Sequence, residues 1–315
     1  GGKKDDSLYL VEDMAISADF SGGAGDDILS GAAMADTLEG NAGNDMLWGN
    51  GGDDTLLGLL GNDVMIGGAG ADTIDGGDGD DRISYYNSLE AVDIDMDRTV
   101  QTVGDAEGDT LASVEFVEGS VYDDTLTGSH GTGSIYGLGG NDTIVGGTHA
   151  QGLFGNAGDD LLESASSGDT LSGGEGDDIY IVRAENIRLN EDELDEIDDV
   201  SDSGYDWVKG HVSIDLRGMD NHIERISLFG TAEDAFANDR NNLVRGTGSG
   251  NGLYGQGGND KLLGLGGDDV IYGHSGKDKV FGGFGADELR GGSEADKIFG
   301  GFGMDTIYGG VDADK

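Results

Sequence analysis

The amino-acid sequence predicts an all-β fold of stacked parallel coils, a β-solenoid. Three observations carry this prediction: a nine-residue repeat, 63 glycines among 315 residues, and the absence of proline. A fixed short period is typical of coils that bury their apolar side chains only against neighbouring coils. The chain has no cysteine either, which excludes disulfides and thiolate metal sites.

The first array, residues 22–84, repeats without a slip. Each unit opens with glycine and carries aspartate at its sixth position and an aliphatic residue at its eighth, as in GGAGDDILS (22–30). Glycine-rich residues make a tight turn and the last three residues a short strand, so two units complete one coil of eighteen residues. The sixth positions are Asp27, Asp36, Asp45, Asp54, Asp63, Asp72 and Asp81.

Two further arrays follow, residues 119–181 and 237–315. The second is degenerate, since Gly133 and Gln151 replace two of its aspartates, and the third stops inside its last unit, so that it looks truncated. Sixth-position aspartates of the second array are Asp124, Asp142, Asp160, Asp169 and Asp178. Those of the third are Asp260, Asp269, Asp278, Asp287, Asp296, Asp305 and Asp314, after Asn242 and Asn251.

Between the arrays the period disappears. Residues 85–118 and the acidic segment 182–236 are predicted to be spacers of short strands and loops, and residues 1–21 a leading strand segment or a cloning remnant. Asp93, Asp95 and Asp97 imitate the start of an EF-hand loop without its later positions, which favours exposed strand residues over an accessory cation site. The run Glu191–Asp199 is interpreted as a solvated acidic loop.

The turns carry the chemistry that this sequence predicts. With the eighth position inward, turns stack along both edges of the coils, and their carboxylates and free carbonyls face the turn one coil away. Short aspartates and glycine backbone together offer the hard oxygen ligands that Ca²⁺ prefers. Calcium would also neutralise part of the net charge of −47, which is otherwise typical of a disordered chain. We therefore expect folding and calcium binding to be one transition.

Pairing each turn with the turn two units later predicts about twelve calcium ions, within about ten to seventeen. The turn GAAMAD (31–36) makes its sites doubtful, and the edge with Gly133, Gln151 and Asp169 should be poor in calcium. The predicted carboxylate ligands are Asp27, Asp45, Asp54, Asp63, Asp72, Asp81, Asp124, Asp142, Asp160, Asp178, Asp260, Asp269, Asp278, Asp287, Asp296, Asp305 and Asp314.

The repeat G-G-x-G-x-D-x-U-x, seen in GGAGADTID (67–75) and GGDGDDRIS (76–84), resembles that of the repeats-in-toxin (RTX) proteins. The resemblance implies calcium-stabilised parallel β-roll arrays with β-rich spacers. It also implies export by type I secretion and folding outside the cell, hence an extracellular or cell-surface location. Turn carbonyls would complete the sites, such as those of Gly40, Ala42, Gly49, Gly51, Gly58, Gly67, Gly282, Gly283 and Gly285.

No catalytic constellation appears in the sequence. The five histidines form no H-E-x-x-H pair, and the stretch around Ser275 lacks the last glycine of a nucleophile elbow. The negative charge excludes nucleic acid as a partner, and no apolar stretch is long enough to span a bilayer. A structural or adhesive role is favoured. The alternatives are an accessory module of a secreted enzyme (protease, lipase or polysaccharide-modifying) or of a pore-forming toxin.

Aromatic residues recur at the ninth position of the third array. Tyr254, Tyr272 and Tyr308 lie on one predicted sheet, with Arg290 in the remaining slot. Leu263, Phe281 and Phe299 hold the same position on the other sheet. These rows predict outward ladders, either cross-strand stacking or, at the tyrosines, a docking face for a glycan or a protein.

Overall fold

The computed structural model describes residues 2–10, 14–129, 131, 133–149, 151–183, 188–189, 204–217 and 222–315. Their regular structure is β-strand apart from a single 3₁₀ turn, Gly104–Ala106, which confirms the predicted all-β class. The chain forms two compact units, Gly1–Asp160 and Leu161–Lys315. The division falls inside the second predicted array and not in a spacer.

The strands are short, because each unit of nine residues has to supply a turn as well as a strand. Unit 1 contains β1 (Ser7–Tyr9), β2 (Asp19–Ala24), β3 (Ile28–Ser30), β4 (Thr37–Ala42), β5 (Met46–Gly51), β6 (Thr55–Leu60), β7 (Val64–Ala69), β8 (Thr73–Asp78), β9 (Arg82–Ser84), β10 (Asp93–Asp95), β11 (Thr110–Ala112), β12 (Phe116–Glu118), β13 (Thr125–Thr127), β14 (Gly133–Gly139), β15 (Thr143–Val145) and β16 (Gln151–Ala157). Unit 2 contains β17 (Leu161–Glu163), β18 (Thr170–Glu175), β19 (Ile179–Val182), β20 (Arg188–Leu189), β21 (Asp206–Gly210), β22 (Ile214–Asp215), β23 (Ile223–Leu228), β24 (Asp234–Phe236), β25 (Leu243–Arg245), β26 (Gly252–Tyr254), β27 (Lys261–Gly266), β28 (Val270–Ser275), β29 (Lys279–Phe284), β30 (Glu288–Ser293), β31 (Lys297–Phe302) and β32 (Thr306–Gly310).

Unit 1 is a coil of alternating strands. One sheet runs in the order β1-β3-β5-β7-β9-β12-β14-β16, a second in the order β2-β4-β6-β8-β11, and a third in the order β10-β13-β15. Within the arrays the parallel register pairs residues eighteen apart, for example Leu38 with Leu56. Strands from residues 85–118 join these sheets directly, since β11 pairs with β8, and β12 lies between β9 and β14.

The strands of unit 2 also alternate between sheets. One sheet runs in the order β17-β19-β21-β23-β25-β27-β29-β31 and another in the order β22-β24-β26-β28-β30-β32, while β18 pairs with β20. The strands between residues 206 and 236 extend the sheets of the third array, because β23 pairs with β25 and β24 pairs with β26. A register shift between Asp206 and Trp207 lies within the irregular segment that precedes the third array.

The core consists of columns of inward side chains, to which each strand contributes one. Aliphatic residues at the eighth position are buried except for Ile298 and Ile307 in the last coils, and those of irregular segments, such as Ile94, Val117 and Val208, occupy equivalent places. Each coil therefore buries few apolar groups, and a coil depends on the coils above and below it. Eighth-position residues with no exposed surface are Leu29, Leu38, Leu47, Leu56, Met65, Ile83, Leu126, Ile144, Leu153, Leu162, Leu171, Tyr180, Val244, Leu253, Leu262, Ile271, Val280 and Leu289.

This core predicts a contrast between two leucines of β6. Leu56 is fully buried and Leu60 is 53% exposed. The substitution Leu56→Ala should cost about 2–5 kcal/mol of unfolding free energy because it leaves a cavity in the column. Leu60→Ala should change it by no more than about 0.5 kcal/mol. Urea unfolding in excess calcium measures both, and equal midpoints for the two variants would contradict the column.

Candidate calcium sites

A ladder of buried aspartates runs along the edges of the coils. One oxygen, Oδ1, accepts a hydrogen bond from the backbone N–H eighteen residues earlier: Asp54 accepts from Asp36 at 2.7 Å, and Asp72 from Asp54 at 2.8 Å. The repeat period produces this ladder, since equivalent turns lie directly above one another. The same bond is accepted by Asp45, Asp63, Asp81, Asp142, Asp160, Asp260, Asp269, Asp278, Asp287, Asp296, Asp305 and Asp314.

The second oxygen, Oδ2, is the atom of these aspartates that is available to bind a cation. In twelve of them it is buried and accepts no hydrogen bond. A buried, ionised oxygen without a partner is costly, so each needs a cation or a proton. The twelve are Asp27, Asp45, Asp54, Asp63, Asp72, Asp81, Asp142, Asp260, Asp269, Asp278, Asp287 and Asp296.

Glycine at the first position of each unit makes room for this oxygen. A Cβ placed on Gly49 would collide with Oδ2 of Asp54 and with the carbonyl oxygen of Gly67, one coil further on. Gly264 shows the same two neighbours in unit 2, Oδ2 of Asp269 and the carbonyl of Gly282. Carboxylate and carbonyl oxygens thus converge where no side chain intrudes, and this donor set fits Ca²⁺.

The carbonyls predicted as ligands lie in two different environments. Those of Gly49, Gly67 and Gly282 lie beside the Oδ2 atoms, over the first-position glycine of the preceding coil. The carbonyl of Ala42 accepts a hydrogen bond from the N–H of Gly25 at 2.9 Å. Among the described residues no three His, Asp or Glu side chains converge on one point. An ion at these turns would therefore take backbone oxygens as well as carboxylates.

Burial controls the electrostatics of the ladder. Desolvation raises the pKa of Asp54 to about 7 and that of Asp260 to about 8, against the lowering effect of their backbone hydrogen bonds. The neighbouring carboxylates Asp72 and Asp278 raise these pKa values further. The pKa of Asp142 is raised to about 7 for the same reasons. Like charges stacked this closely are stable only with protons or metal ions between them.

Several turns satisfy their own sixth residue. Oδ2 of Asp36 accepts a hydrogen bond from Ala32 N–H at 2.6 Å, in the turn whose sites the sequence made doubtful. Gln151 accepts from Gly147 N–H at 2.6 Å. Ser166 donates to Asp169 at 2.8 Å. In Asp124, a predicted ligand, both oxygens accept from Ser120, through its N–H at 2.5 Å and its hydroxyl at 2.8 Å.

The remaining predicted ligands lie in the ladder as well. Asp178 is fully buried, and its N–H donates to Asp206 at 2.7 Å. Asp160 is buried too. Asp305 and Asp314 are only half-buried, in the last coils of unit 2, and accept longer bonds of 3.2 and 3.1 Å. The sites at this end are therefore more open than those in the middle of the arrays.

Irregular segments contribute residues to the ladder that the nine-residue register missed. Asp109 accepts from Asp72 N–H at 2.7 Å and from the hydroxyl of Tyr85 at 2.9 Å, and burial raises its pKa to about 8. Glu115 accepts from Asp81 N–H at 2.8 Å. Asp206 continues the ladder beyond Asp178. The signal was present in the sequence, because Asp109 and Asp206 each begin the pattern aspartate-x-aliphatic-x that ends a regular unit.

The EF-hand-like aspartates have a different environment. Arg98 lies 3.3 Å from Asp93 and 3.8 Å from Asp95, and the N–H of Asp97 donates to Asp95 at 3.0 Å. An arginine therefore occupies the position that a cation would take among these carboxylates. The acidic run Glu191–Asp199 lies outside the described residues.

Tyrosines of the third array form the predicted outward ladder. Phe236 stacks on Tyr254 with ring centroids 4.4 Å apart, and Tyr254 on Tyr272 at 5.5 Å. Arg290 lies between Tyr272 and Tyr308, with its guanidinium 5.0 and 4.8 Å from the two rings. Stacking along the sheet thus occupies the ring faces of Tyr254 and Tyr272. A docking role for this row stays a prediction.

Stacked glycine turns, many of which present an unsatisfied carboxylate oxygen beside a carbonyl of the next coil, define a calcium-binding β-roll. The family model of the RTX calcium-binding nonapeptide repeat matches residues 21–56, 30–65, 57–85, 118–148, 153–184, 236–271, 254–289 and 281–315. These spans cover more than half of the chain, which belongs to this family. No curated protein gives a significant match. None of the described helical segments could cross a membrane.

The raised pKa values predict that protons compete with calcium. Carboxyls such as Asp54, with a pKa of about 7, bind protons in the metal-free fold as the pH falls from about 8 to about 6. Charged carboxylates destabilise the metal-free fold above this pKa, and calcium removes that penalty. For turns that are already folded, calcium affinity should weaken by about tenfold per titrating carboxylate over this range. Isothermal titration at the two pH values measures it. The last ions to bind report it, because neighbouring coils that already carry calcium hold their turns folded. An unchanged affinity for these ions would show that the buried carboxyls are not their ligands.

Proposed function

We propose that this chain is a structural or adhesive module of a secreted protein that folds as calcium fills its turns. The unsatisfied Oδ2 atoms of the buried aspartates carry the proposal, because they leave the fold incomplete without a cation. The ligands are the sixth-position carboxylates predicted from the sequence apart from Asp124, which Ser120 already satisfies, with the turn carbonyls beside them. About twelve ions are expected.

Charge supports the coupling of folding to calcium. The net charge is −47, and like-charged carboxylates are stacked coil upon coil. Two positive charges per ion offset the repulsion where it is strongest, at the buried ladder. An ion present at ten times its dissociation constant stabilises the folded chain by about 1.4 kcal/mol. Many such sites acting together stabilise the fold by more than the core does, because each strand contributes only one side chain to that core.

The same dependence supports an extracellular location. A chain that needs calcium at many sites of modest affinity stays unfolded where calcium is scarce, as in the cytosol, and folds where it is abundant. This fits the family's export through a type I secretion channel, which passes unfolded chains. Calcium-binding repeats make up more than half of the chain, and we therefore assign the chain a binding and structural role.

Titration of chelator-treated protein with calcium tests the proposal. Far-UV circular dichroism should show a cooperative gain of β structure, and ion counting on the same sample should give about twelve bound ions. Magnesium at equal concentration is the control, because it prefers a smaller octahedral shell rich in water and should not replace calcium. A chain that is fully folded in excess chelator would overturn the proposal.

Neighbouring aspartates in one turn test the ligand assignment. Asp54 is buried with its Oδ2 unsatisfied, whereas Asp53 is exposed and accepts a hydrogen bond from Ala71 N–H. The substitution Asp54→Asn keeps the ladder acceptor and removes the charge, so it should lose about one or two ions and raise the calcium concentration needed for folding. Asp53→Asn should leave both unchanged. Equal ion counts for the two variants would reject Asp54 as a ligand.

A further inference from the structure

The outer face of one sheet in unit 2 differs in charge from the rest of the chain. On strands β21, β23, β25, β27, β29 and β31, residues beside the buried eighth position point outward in two rows. The first row is Trp207, Arg225, Leu243, Lys261, Lys279 and Lys297. The second is Lys209, Ser227, Arg245, Leu263, Phe281 and Phe299. We call these two rows the basic face.

Neither row of the basic face contains aspartate or glutamate. Half of its residues are lysine or arginine, although the whole chain has only 17 of these against 64 acidic residues. Lys315 continues the first row, because its N–H and carbonyl bond to Asp296 and Ile298 on the neighbouring strand. Seven of the 17 lysines and arginines of the chain therefore lie on this one face or continue its first row.

The exposed cations of the basic face are not neutralised within the described structure. Lys209 and Arg225 lie on the ring of Trp207, 4.1 and 3.8 Å from its centroid. Arg245, Lys261, Lys279 and Lys297 are exposed and take part in none of the ion pairs between described residues. On the opposite sheet, by contrast, Arg290 pairs with Glu288 at 2.7 Å and Arg217 with Asp215 at 2.5 Å.

Stacking makes the lysines of the basic face a repeating unit. Lys261, Lys279 and Lys297 are direct partners on adjacent parallel strands, so they recur about every 4.8 Å. Like charges directly opposite each other destabilise a sheet. An anion lying along the row would remove this repulsion, provided that its charges recur at a similar interval.

An apolar surface lies beside the lysines. Phe281 and Phe299 stack with centroids 4.9 Å apart, and Phe284 and Phe302 form a parallel stack at 5.1 Å. A groove of about 290 Å³ lies between the two stacks, with the glycine backbone of Gly283 in its floor. A ligand along the lysines would therefore meet an apolar wall on one side.

We propose that the basic face binds a carboxylated polysaccharide that carries one carboxylate on each sugar ring. The rings of such a polymer repeat at about the interval of the strands, and rotation about its glycosidic bonds lets carboxylates turn towards the lysines. The C–H surface of its rings suits the phenylalanine wall. An extended acidic peptide repeats its side chains on one face about every 7 Å. A nucleic-acid strand carries a phosphate about every 3.4 Å and is repelled by the acidic remainder of the chain.

The proposal rests on calcium-dependent folding only because the strands must be formed. Its probe is a series of short oligogalacturonates, too short to gel with calcium, titrated into the calcium-loaded chain by calorimetry. The triple substitution of Lys261, Lys279 and Lys297 by glutamine should weaken binding about tenfold. Bound calcium and the circular dichroism spectrum should stay unchanged. Loss of those two signals together would instead report failure of the fold.

The matched control removes the same charge elsewhere, by substituting Lys3, Lys4 and Arg290 with glutamine. Its affinity should stay within about twofold of the native chain. Equal losses in both variants, or none in the first, would overturn the assignment of the face. Tighter binding of oligoglutamate, of a single-stranded oligonucleotide or of anionic vesicles would identify another class of partner. Equal binding of neutral oligogalactose, or no binding of oligogalacturonate, would also overturn the proposal.

Discussion

The interaction on which the whole structure depends is that between a cation and a buried carboxylate oxygen that has no other partner. Asp54 is typical: one oxygen holds the neighbouring coil through its N–H, and the other remains unsatisfied in a space that glycine keeps open. The hydrogen bond brings the turns together, and the same closeness creates the repulsion that a metal ion must relieve. Geometry and electrostatics therefore oppose each other until calcium is present, and a column of single aliphatic side chains is too thin a core to decide the balance alone.

The sequence predicted the periodic parts well, because there each residue's neighbour lies one coil away and the register follows from counting. The stacking of Leu38 on Leu56 and of Asp36 on Asp54 needed no further information. The irregular segments were harder. Asp109 takes the next place in the ladder after Asp72 although 37 residues separate them, since the irregular segment inserts β10 and the 3₁₀ turn after the regular strands β8 and β9. Counting cannot locate such a partner, whereas the pattern that begins at Asp109 could have. For Asp124 the opposite holds. Counting places it in the register, but only its contacts reveal that Ser120 donates hydrogen bonds to both of its oxygens.

Two surfaces of opposite charge thus share one repeat. The turns concentrate carboxylates along the edges, while one flat face of unit 2 collects lysine and arginine. Separation of this kind is easy in a solenoid, since each position of the unit maps to a fixed place around the coil. The seventh position can acquire lysine in alternate units without any effect on the sixth. A calcium scaffold and a binding face can in this way change independently of each other.

The alternation of consecutive units between opposite sheets has a consequence for how such a chain can change length. Loss or gain of eighteen residues removes or adds a whole coil and leaves every later residue on its own side. Loss of nine residues transfers all later units to the opposite side, so that Lys279 and its companions would leave their sheet and break the row with Arg225 and Arg245. Insertions and deletions in this module should therefore be tolerated in pairs of units, because only an even number of units keeps every later residue on its own sheet.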